Sequence, residues 1–218
     1  MTRVGDLTGD PNNTRWSASK KQDAIQRAQE QFVLDTRALV DVHTDSIVAG
    51  TSEYSLPTDV LDITRLAISG KILERSSAFD LDLDTGFQDW TDDEGTPCRY
   101  YVDLDPNNKK VRIYPKPQAP DAGTNNLRIE YVKIPPSLSS DSSVPLDSHT
   151  LLAPYHDALA YWAAADLLKI RPTEQDLVMV RAHTGQYEEI VSQCIETFKR
   201  LGKRAPARMR GGRYHKGL

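Results

Sequence analysis

The sequence predicts an α+β fold, a helical bundle from the N- and C-terminal helices with an inserted small antiparallel β module and an extended C-terminal tail. Three observations predict this class. Apolar residues recur with helical period near both ends of the chain. The middle contains short β-prone runs separated by Gly, Pro, Asn and Asp. The last seventeen residues carry six Lys or Arg and no Asp or Glu. The expected divisions are an N-terminal arm (1–16), a helical bundle (17–45 and 148–201), a β module with its connector (46–147) and a basic tail (202–218).

The first sixteen residues predict an irregular arm, and a helix follows them. Ser19 and Gln22 have the spacing of a capping box, and the helical pattern continues to about Val42. The expected apolar face consists of Ile25, Ala28, Phe32 and Leu39. The residues expected to face water are Gln26, Arg27, Glu30 and Arg37.

The middle of the chain predicts a small antiparallel sheet. Its β-prone runs are residues 46–57, 63–69, 71–76, 98–104, 109–117 and 126–135. The clearest hairpin joins the fourth and fifth runs, because Pro106 presets φ for a turn while Asn107 and Asn108 tolerate the left-handed region. The acidic stretch before the fourth run predicts one short helical turn followed by a loop. Residues 135–148 are rich in Ser and Pro, which predicts a connector.

Two helices are predicted after the connector. Pro154 suits the first turn of a helix that ends near Ile170, and its many Ala residues allow another backbone to approach closely. Thr173 and Asp176 predict the N-terminal cap of the next helix. Apolar residues with alternating spacings of three and four then predict a helix-packing seam. Its members are Leu177, Val180, Thr184, Tyr187, Val191, Cys194, Phe198 and Leu201.

Charge is distributed unevenly along the 218 residues. The chain has 27 Lys and Arg against 31 Asp and Glu, but eight of the cations follow Phe198, so residues 1–198 carry 19 cations and a net charge of −12. A body of this charge should repel a polyanion, whereas the tail should attract one. The two cysteines, Cys98 and Cys194, are too few for a disulfide framework or a four-cysteine zinc site. Neither a signal peptide nor a membrane span is predicted.

Motifs that carry chemistry are scarce. No Gly-rich segment has the spacing of a phosphate loop. Asp80, Asp82 and Asp84 resemble the start of a calcium loop, but later positions lack the Gly and Glu that the loop requires, so a solvated acidic loop is the better interpretation. His149 and His156 are seven residues apart, about two helical turns, and a capping or packing role is favoured over a metal site. The sequence therefore offers little support for enzymatic activity, and no cofactor is expected.

The basic tail allows three interpretations. It could be a solubilising end, a nucleic-acid-binding segment with Tyr214 available for stacking, or a strap that docks on an acidic protein partner. For the third interpretation the docking residues are Lys203, Arg204, Arg208, Met209, Arg210, Arg213, Tyr214 and Lys216.

Several blocks, taken in order, resemble the adaptor or head-to-tail connector proteins of tailed bacteriophages, which lie beneath the portal ring. The blocks are "ASKKQDAIQRAQEQF", "EYSLPTDVLDITRLAISGKIL", "GTPCRYYVDLDPNNKKVRIYPKP", "LRIEYVKIPPSL" and "LLAPYHDALAYWAAADLL". Together they span about residues 17–170.

The resemblance implies a structural virion protein without catalytic activity. It implies a homo-oligomeric ring, expected to be dodecameric, in the neck between capsid and tail, with assembly in the host cytoplasm. The implied partners are the portal protein, a tail or nozzle protein and double-stranded DNA passing through the channel without sequence specificity; no membrane partner is implied. Such adaptors use a C-terminal extension that inserts into the portal.

Within this hypothesis the first and last helices build the ring. Tyr54, Tyr101, Tyr114 and Tyr131 are expected on strands, where contacts with neighbouring subunits and simple sheet packing are equally plausible roles. Two alternatives stay open, namely a small nucleic-acid-binding factor that acts through its tail, and an enzyme without a recognised motif.

Overall fold

The structure is a computed structural model that describes residues 2–86, 89–105, 108–139, 143–170 and 172–201. The chain divides into two compact units. The helical unit contains the described residues of Met1–Leu39 and Pro135–Leu218, and the β unit contains those of Val40–Ile134. Helices and strands are both abundant, which confirms the α+β class. Within the described ranges, no helix combines the length and apolar character needed to cross a membrane.

The described residues form five α-helices: α1 (Thr2–Leu7), α2 (Ala18–Thr36), α3 (Ala78–Asp84), α4 (His156–Ile170) and α5 (Glu174–Arg200). All except α3 belong to the helical unit. They include α1 in place of the irregular arm that the sequence predicts, and Val4 and Trp16 from this arm are buried. The first sixteen residues are therefore packed into the unit.

The ends of α2 differ from the prediction. Ser17, and not Ser19, is the N-cap, and its side chain accepts the backbone N–H of Lys20. The helix ends at Thr36 because Arg37 adopts the left-handed conformation and its N–H closes on the carbonyl of Val33. The residues from there to Val42 are not helical.

The buried face of α2 agrees with the prediction at Ala28 and Phe32, whereas Ile25 is half-buried. Two polar residues are buried on the same helix, Lys21 and Gln29. Both have long side chains that carry hydrogen-bonding groups, and such groups are buried only when they find partners.

The α4–α5 hairpin is close to the prediction. Thr173 and Asp176 form a reciprocal capping box in which each side chain accepts the other residue's backbone N–H. α4 packs against both α2 and α5. Its alanines are buried at Ala158, Ala160, Ala163, Ala164 and Ala165. Small side chains therefore bring these helices close together, as expected.

The β unit contains eight strands: β1 (Val40–Ile47), β2 (Glu53–Ser55), β3 (Val60–Ile68), β4 (Lys71–Ile72), β5 (Glu74–Arg75), β6 (Arg99–Asp105), β7 (Asn108–Tyr114) and β8 (Gly123–Lys133). They form two four-stranded sheets with the orders β1-β8-β3-β4 and β2-β7-β6-β5. The prediction of one antiparallel sheet is wrong in two respects, since there are two sheets and β5 pairs with β6 in parallel. The sequence pattern does not reveal β1, because its first three residues fall within the predicted helix.

Local predictions in the β unit hold. β6 and β7 form the expected antiparallel hairpin, with register from Arg99 opposite Tyr114 to Asp105 opposite Asn108. The turn residues Pro106 and Asn107 lie outside the described residues. The acidic stretch forms the short helix α3, as predicted.

The strand tyrosines lie mainly in the interior of the β unit. Tyr54 and Tyr131 belong to the main apolar core, and Tyr101 packs with Leu81 and Trp90 in a smaller cluster. Tyr114 is half-buried, also against Trp90. Sheet packing is therefore the role that the structure supports for these side chains.

Candidate functional site

One face of α5 packs against the rest of the helical unit. Four residues of the predicted seam are buried on it: Tyr187, Val191, Cys194 and Phe198. Val180 is half-buried, whereas Leu177 and Leu201 are 49% and 56% exposed. Towards the N-terminus the buried face continues through His183 and Asp176 instead. A heptad pattern drifts relative to the period of a straight helix. This drift explains why the predicted seam and the buried face of α5 coincide near the C-terminus of the helix and diverge towards its N-terminus.

Exposed apolar side chains lie on both sides of the short α4–α5 connection. Ile170 at the end of α4 is 53% exposed, and Leu177, Val178 and Met179 in the first two turns of α5 are 49%, 65% and 37% exposed. We call these four residues the hairpin patch. Exposed apolar residues that lie close together along the chain are candidates for a protein–protein contact site.

The N-terminal segment fixes the start of α5, where the hairpin patch lies. The guanidinium of Arg15 donates to both carboxylate oxygens of Asp176, at 3.2 and 2.8 Å. The hydrogen bond from Arg15, with further bonds from Thr173, holds the pKa of Asp176 well below its usual value, against the opposing effect of burial. Arg15 also lies 5.1 Å from the ring centroid of Trp16. These contacts join a residue before α2 to the cap of α5.

A buried network organises the loop between α1 and α2. Asp10 accepts hydrogen bonds from the Thr14 N–H and hydroxyl, both at 2.7 Å, and from the Trp16 N–H at 2.8 Å. The Lys21 ammonium lies 3.3 Å from the Asp10 carboxylate and donates to Asn13 at 2.8 Å. Burial alone would raise the pKa of Asp10, but these hydrogen bonds hold it well below its usual value. The loop therefore has one compact arrangement.

α1 is also attached to the α4–α5 hairpin. The His183 Nε2 atom lies 3.2 Å from the carbonyl oxygen of Leu7, and the His183 ring packs 5.7 Å from Tyr161. Arg3 pairs with Asp157 at 2.5 Å and lies over the Tyr161 ring. The N-terminal segment thus contacts both helices of the hairpin.

Glutamines of α2 hold the connector that precedes α4. Gln22 donates to the carbonyl of Leu138 at 2.5 Å, and the Leu138 N–H donates to Gln26 at 2.9 Å. Gln26 was expected to face water, but it is half-buried. This segment lacks regular structure, so side chains of α2 supply partners for its backbone groups.

Gln29 makes the most buried of these contacts. Its side chain donates to Gln26 at 2.9 Å and to the carbonyl of Pro136 at 2.7 Å, and it accepts the N–H of Leu146 at 3.1 Å. Gln29 has no exposed surface. One amide therefore attaches two separate points of the connector to α2.

The helical unit also contains a groove of about 490 Å³ between α2, α4 and α5. Tyr187 donates to Asp35 at 2.6 Å beside it, and burial together with this bond raises the pKa of Tyr187 far above its usual value. Burial raises the pKa of Cys194 to about 12. The phenol and the thiol thus stay protonated at neutral pH, which disfavours either as a nucleophile or base.

The acidic residues of α3 have structural partners. Asp80 completes the cap of α3, Asp82 accepts the indole N–H of Trp90 at 2.7 Å, and Asp84 pairs with Arg99. Across the described parts of the chain, no three His, Cys, Asp or Glu side chains are grouped so that they could hold a metal ion. These aspartates therefore lie on a short helix and have structural partners, so the prediction of a solvated acidic loop at these positions is wrong.

The two histidines near α4 are half-buried. Burial lowers the pKa of His156, and the nearby carboxylate of Asp157 opposes this only in part. His156 is the first residue of α4, and its partial burial favours the neutral imidazole.

Sequence reasoning missed the polar residues that organise the helical unit. Arg15 and Gln29 have partners more than a hundred residues away, and Asp10 and Lys21 pair between the loop and α2. One signal was present, since Lys21 precedes Ala24 by three residues and Ala28 by seven. A charged residue that falls on an apolar helical face in this way indicates a buried, paired cation.

The predicted portal-docking residues lie outside the described part of the chain: Lys203, Arg204, Arg208, Met209, Arg210, Arg213, Tyr214 and Lys216. Their role stays a prediction from the sequence.

We compared the chain with known proteins and protein families to find the family to which it belongs. A search of curated proteins finds no match to this chain. A family model described as SU10 adaptor protein matches residues 1–210, which is nearly the whole chain. An adaptor family indicates a structural role rather than a catalytic one. The chain therefore belongs to the SU10 adaptor protein family and is a structural protein of a bacteriophage virion, a head-to-tail adaptor.

Proposed function

We propose that this adaptor forms a ring, dodecameric as the resemblance suggests, in the neck of the virion between the portal and the tail or nozzle protein. In this arrangement the ring surrounds the channel through which double-stranded DNA passes. The helical unit supplies contacts between copies, and the basic tail docks on the portal. No catalytic step and no cofactor is part of this function.

The hairpin patch is the main observation that supports ring formation. Val178 and Ile170, on either side of the α4–α5 connection, are 65% and 53% exposed. The Arg15–Asp176 pair and the capping box hold the first turn of α5 in one conformation. A fixed apolar surface loses little conformational entropy when it binds, which favours its use in a lasting subunit contact.

The charge distribution supports the roles of body and tail. Residues 1–198 carry a net charge of −12, whereas eight cations and no anion follow. An acidic channel wall would not grip DNA, so the genome could slide past it. The tail would be attracted to an acidic protein surface and held there by charge-assisted hydrogen bonds.

The proposal is tested by mixing purified portal with three forms of the adaptor and measuring the mass of the complexes. The full chain should bind as a ring. A chain that ends at Leu201 should fold but lose portal binding. A chain with the cations of 203–216 replaced by Gln should behave like the truncation, because it keeps the length and loses the charge.

The double variant L177S/V178S tests the ring contact in the same assay. It should bind portal as separate copies, since its tail is intact. V48S is the control, because Val48 is 55% exposed but belongs to the β unit.

Unchanged portal binding by the truncated chain would contradict the docking role of the tail. Binding of the tail to DNA, with a log–log salt slope of about −7 for eight phosphate contacts, would instead support the nucleic-acid-binding alternative.

A further inference from the structure

The first sheet of the β unit has one long edge. β1 runs over eight residues at the end of the order β1-β8-β3-β4, and in the described chain it pairs only with β8. Strands β2, β4 and β5, which form the other three sheet edges, have two or three residues each. Val40 and Val42 on β1 are 39% and 43% exposed. A long, partly apolar edge strand is a template for pairing with another chain.

Two aspartates occupy hydrogen-bond donors of this strand. The Val42 N–H donates to Oδ1 of Asp41 at 2.7 Å, and the Ser46 N–H donates to Oδ1 of Asp45 at 2.7 Å. In an antiparallel pair, alternate residues direct their backbone groups away from the partner strand. An N–H that donates to its own neighbour's carboxylate is therefore not available to a new strand.

The spacing of the two aspartates also opposes pairing between two copies. If two β1 strands paired in antiparallel orientation about His43, Asp41 of each copy would stand opposite Asp45 of the other. Like charges placed directly opposite destabilise a strand pair. Lys133 lies 3.7 Å from Asp41 and offsets part of one of these charges.

We propose that Asp41 and Asp45 close the β1 edge to strand addition, so that copies of this chain do not associate through the first sheet. The carboxylates act in two ways, because they occupy donors that an incoming strand needs and place negative charge where it would lie. Association between copies is thereby left to other surfaces. This role is independent of the proposed ring and portal contacts.

The experiment compares self-association of the full chain with that of the variant D41V/D45V by sedimentation velocity. Amide hydrogen exchange at Val42 and Thr44 is measured over a range of concentrations. The variant should self-associate about tenfold more tightly, because two opposed carboxylate pairs are lost and two donors are released. Exchange at these amides should become slower as its concentration rises, whereas the wild type should show no concentration dependence there.

Two controls separate the carboxylates from other causes. H43V/T44V adds apolar β-branched residues to the same strand and keeps both aspartates, so it should resemble the wild type. D6N/D23N removes two exposed negative charges from the helical unit and should also leave exchange at β1 unchanged. If D41V/D45V fails to fold, the single variants D41V and D45V carry the test, each with a smaller shift.

Unchanged association of the aspartate variant would overturn the proposal, as would association without protection of Val42 and Thr44. Equal association of H43V/T44V would overturn it too, since apolar character alone would then be the cause. Ring formation through the hairpin patch does not protect these two amides, so the outcome is distinguishable from the test of the ring.

Discussion

The replacement of Gln29 by Met isolates the polar link between α2 and the connector. Met has nearly the length and volume of Gln, so it fills the same space and leaves no large cavity. It cannot accept the Leu146 N–H or donate to the Pro136 carbonyl, the two bonds that Gln29 makes with the connector at 3.1 and 2.7 Å. The substitution therefore removes hydrogen bonds and changes packing little.

The expected loss follows from the burial of each partner. The bond to the Leu146 N–H is buried, so the unpaired donor costs about 1–3 kcal/mol. Pro136 is exposed, and its carbonyl can turn to water, so only the net value of one hydrogen bond, about 1 kcal/mol, is lost there. Q29M should lower the free energy of unfolding by about 2–4 kcal/mol.

Urea denaturation followed by far-UV circular dichroism measures this loss. Hydrogen exchange at the Leu146 amide should accelerate in Q29M. Q31M is the matched control, because Gln31 lies on the same helix and donates only to the exposed carboxylate of Asp35, so its effect should stay within about 0.5 kcal/mol. A Q29M protein as stable as Q31M would refute the reasoning that this amide anchors the connector.

Two further predictions concern α3 and α4. L81A should lower the free energy of unfolding by about 2–5 kcal/mol, because the Leu81 side chain is fully buried; urea denaturation measures the loss, and L83A, at a position that is 50% exposed, should have a small effect. A loss as large in L83A as in L81A would contradict the assigned core. His156 has a lowered pKa in the folded protein, so its unfolded form binds a proton first. This difference costs no stability above pH 6.5, the ordinary pKa of histidine. Below that value the free energy of unfolding falls, and the loss grows until the pH reaches the folded-state pKa. H156N should therefore flatten the loss of stability in this window, measured by thermal unfolding at several pH values, and an unchanged pH profile would contradict it.

Predictions that depend on neighbouring residues proved most accurate. The Thr173–Asp176 cap and the β6–β7 hairpin are confirmed, because capping and turn formation involve groups only a few residues apart. The boundary after α2 was misplaced, because β1 is stabilised by pairing with β8, more than eighty residues later. A local pattern carries no information on that partner.

At the candidate site, too, features that depend on local spacing could be predicted and features that depend on distant partners could not. The apolar positions of α5 from Tyr187 to Phe198 could be predicted, since burial of such residues follows helical period. The exposure of Leu177 could not, because the register of the buried face is set by the helices that contact α5. Buried polar residues are missed for a similar reason, since sequence patterns assign Lys and Gln to the surface.

The sequence by itself determined the α+β class, the N-terminal cap of α5, the main hairpin and the separation of an acidic body from a cationic tail. These depend on residue type and short-range spacing. Only the tertiary structure decided that Asp10 and Lys21 are buried together and that Arg15 pairs with Asp176, 161 residues away. A charge can leave water only when a partner compensates its lost hydration, and both pairs form only when the loop after α1 packs against the helices.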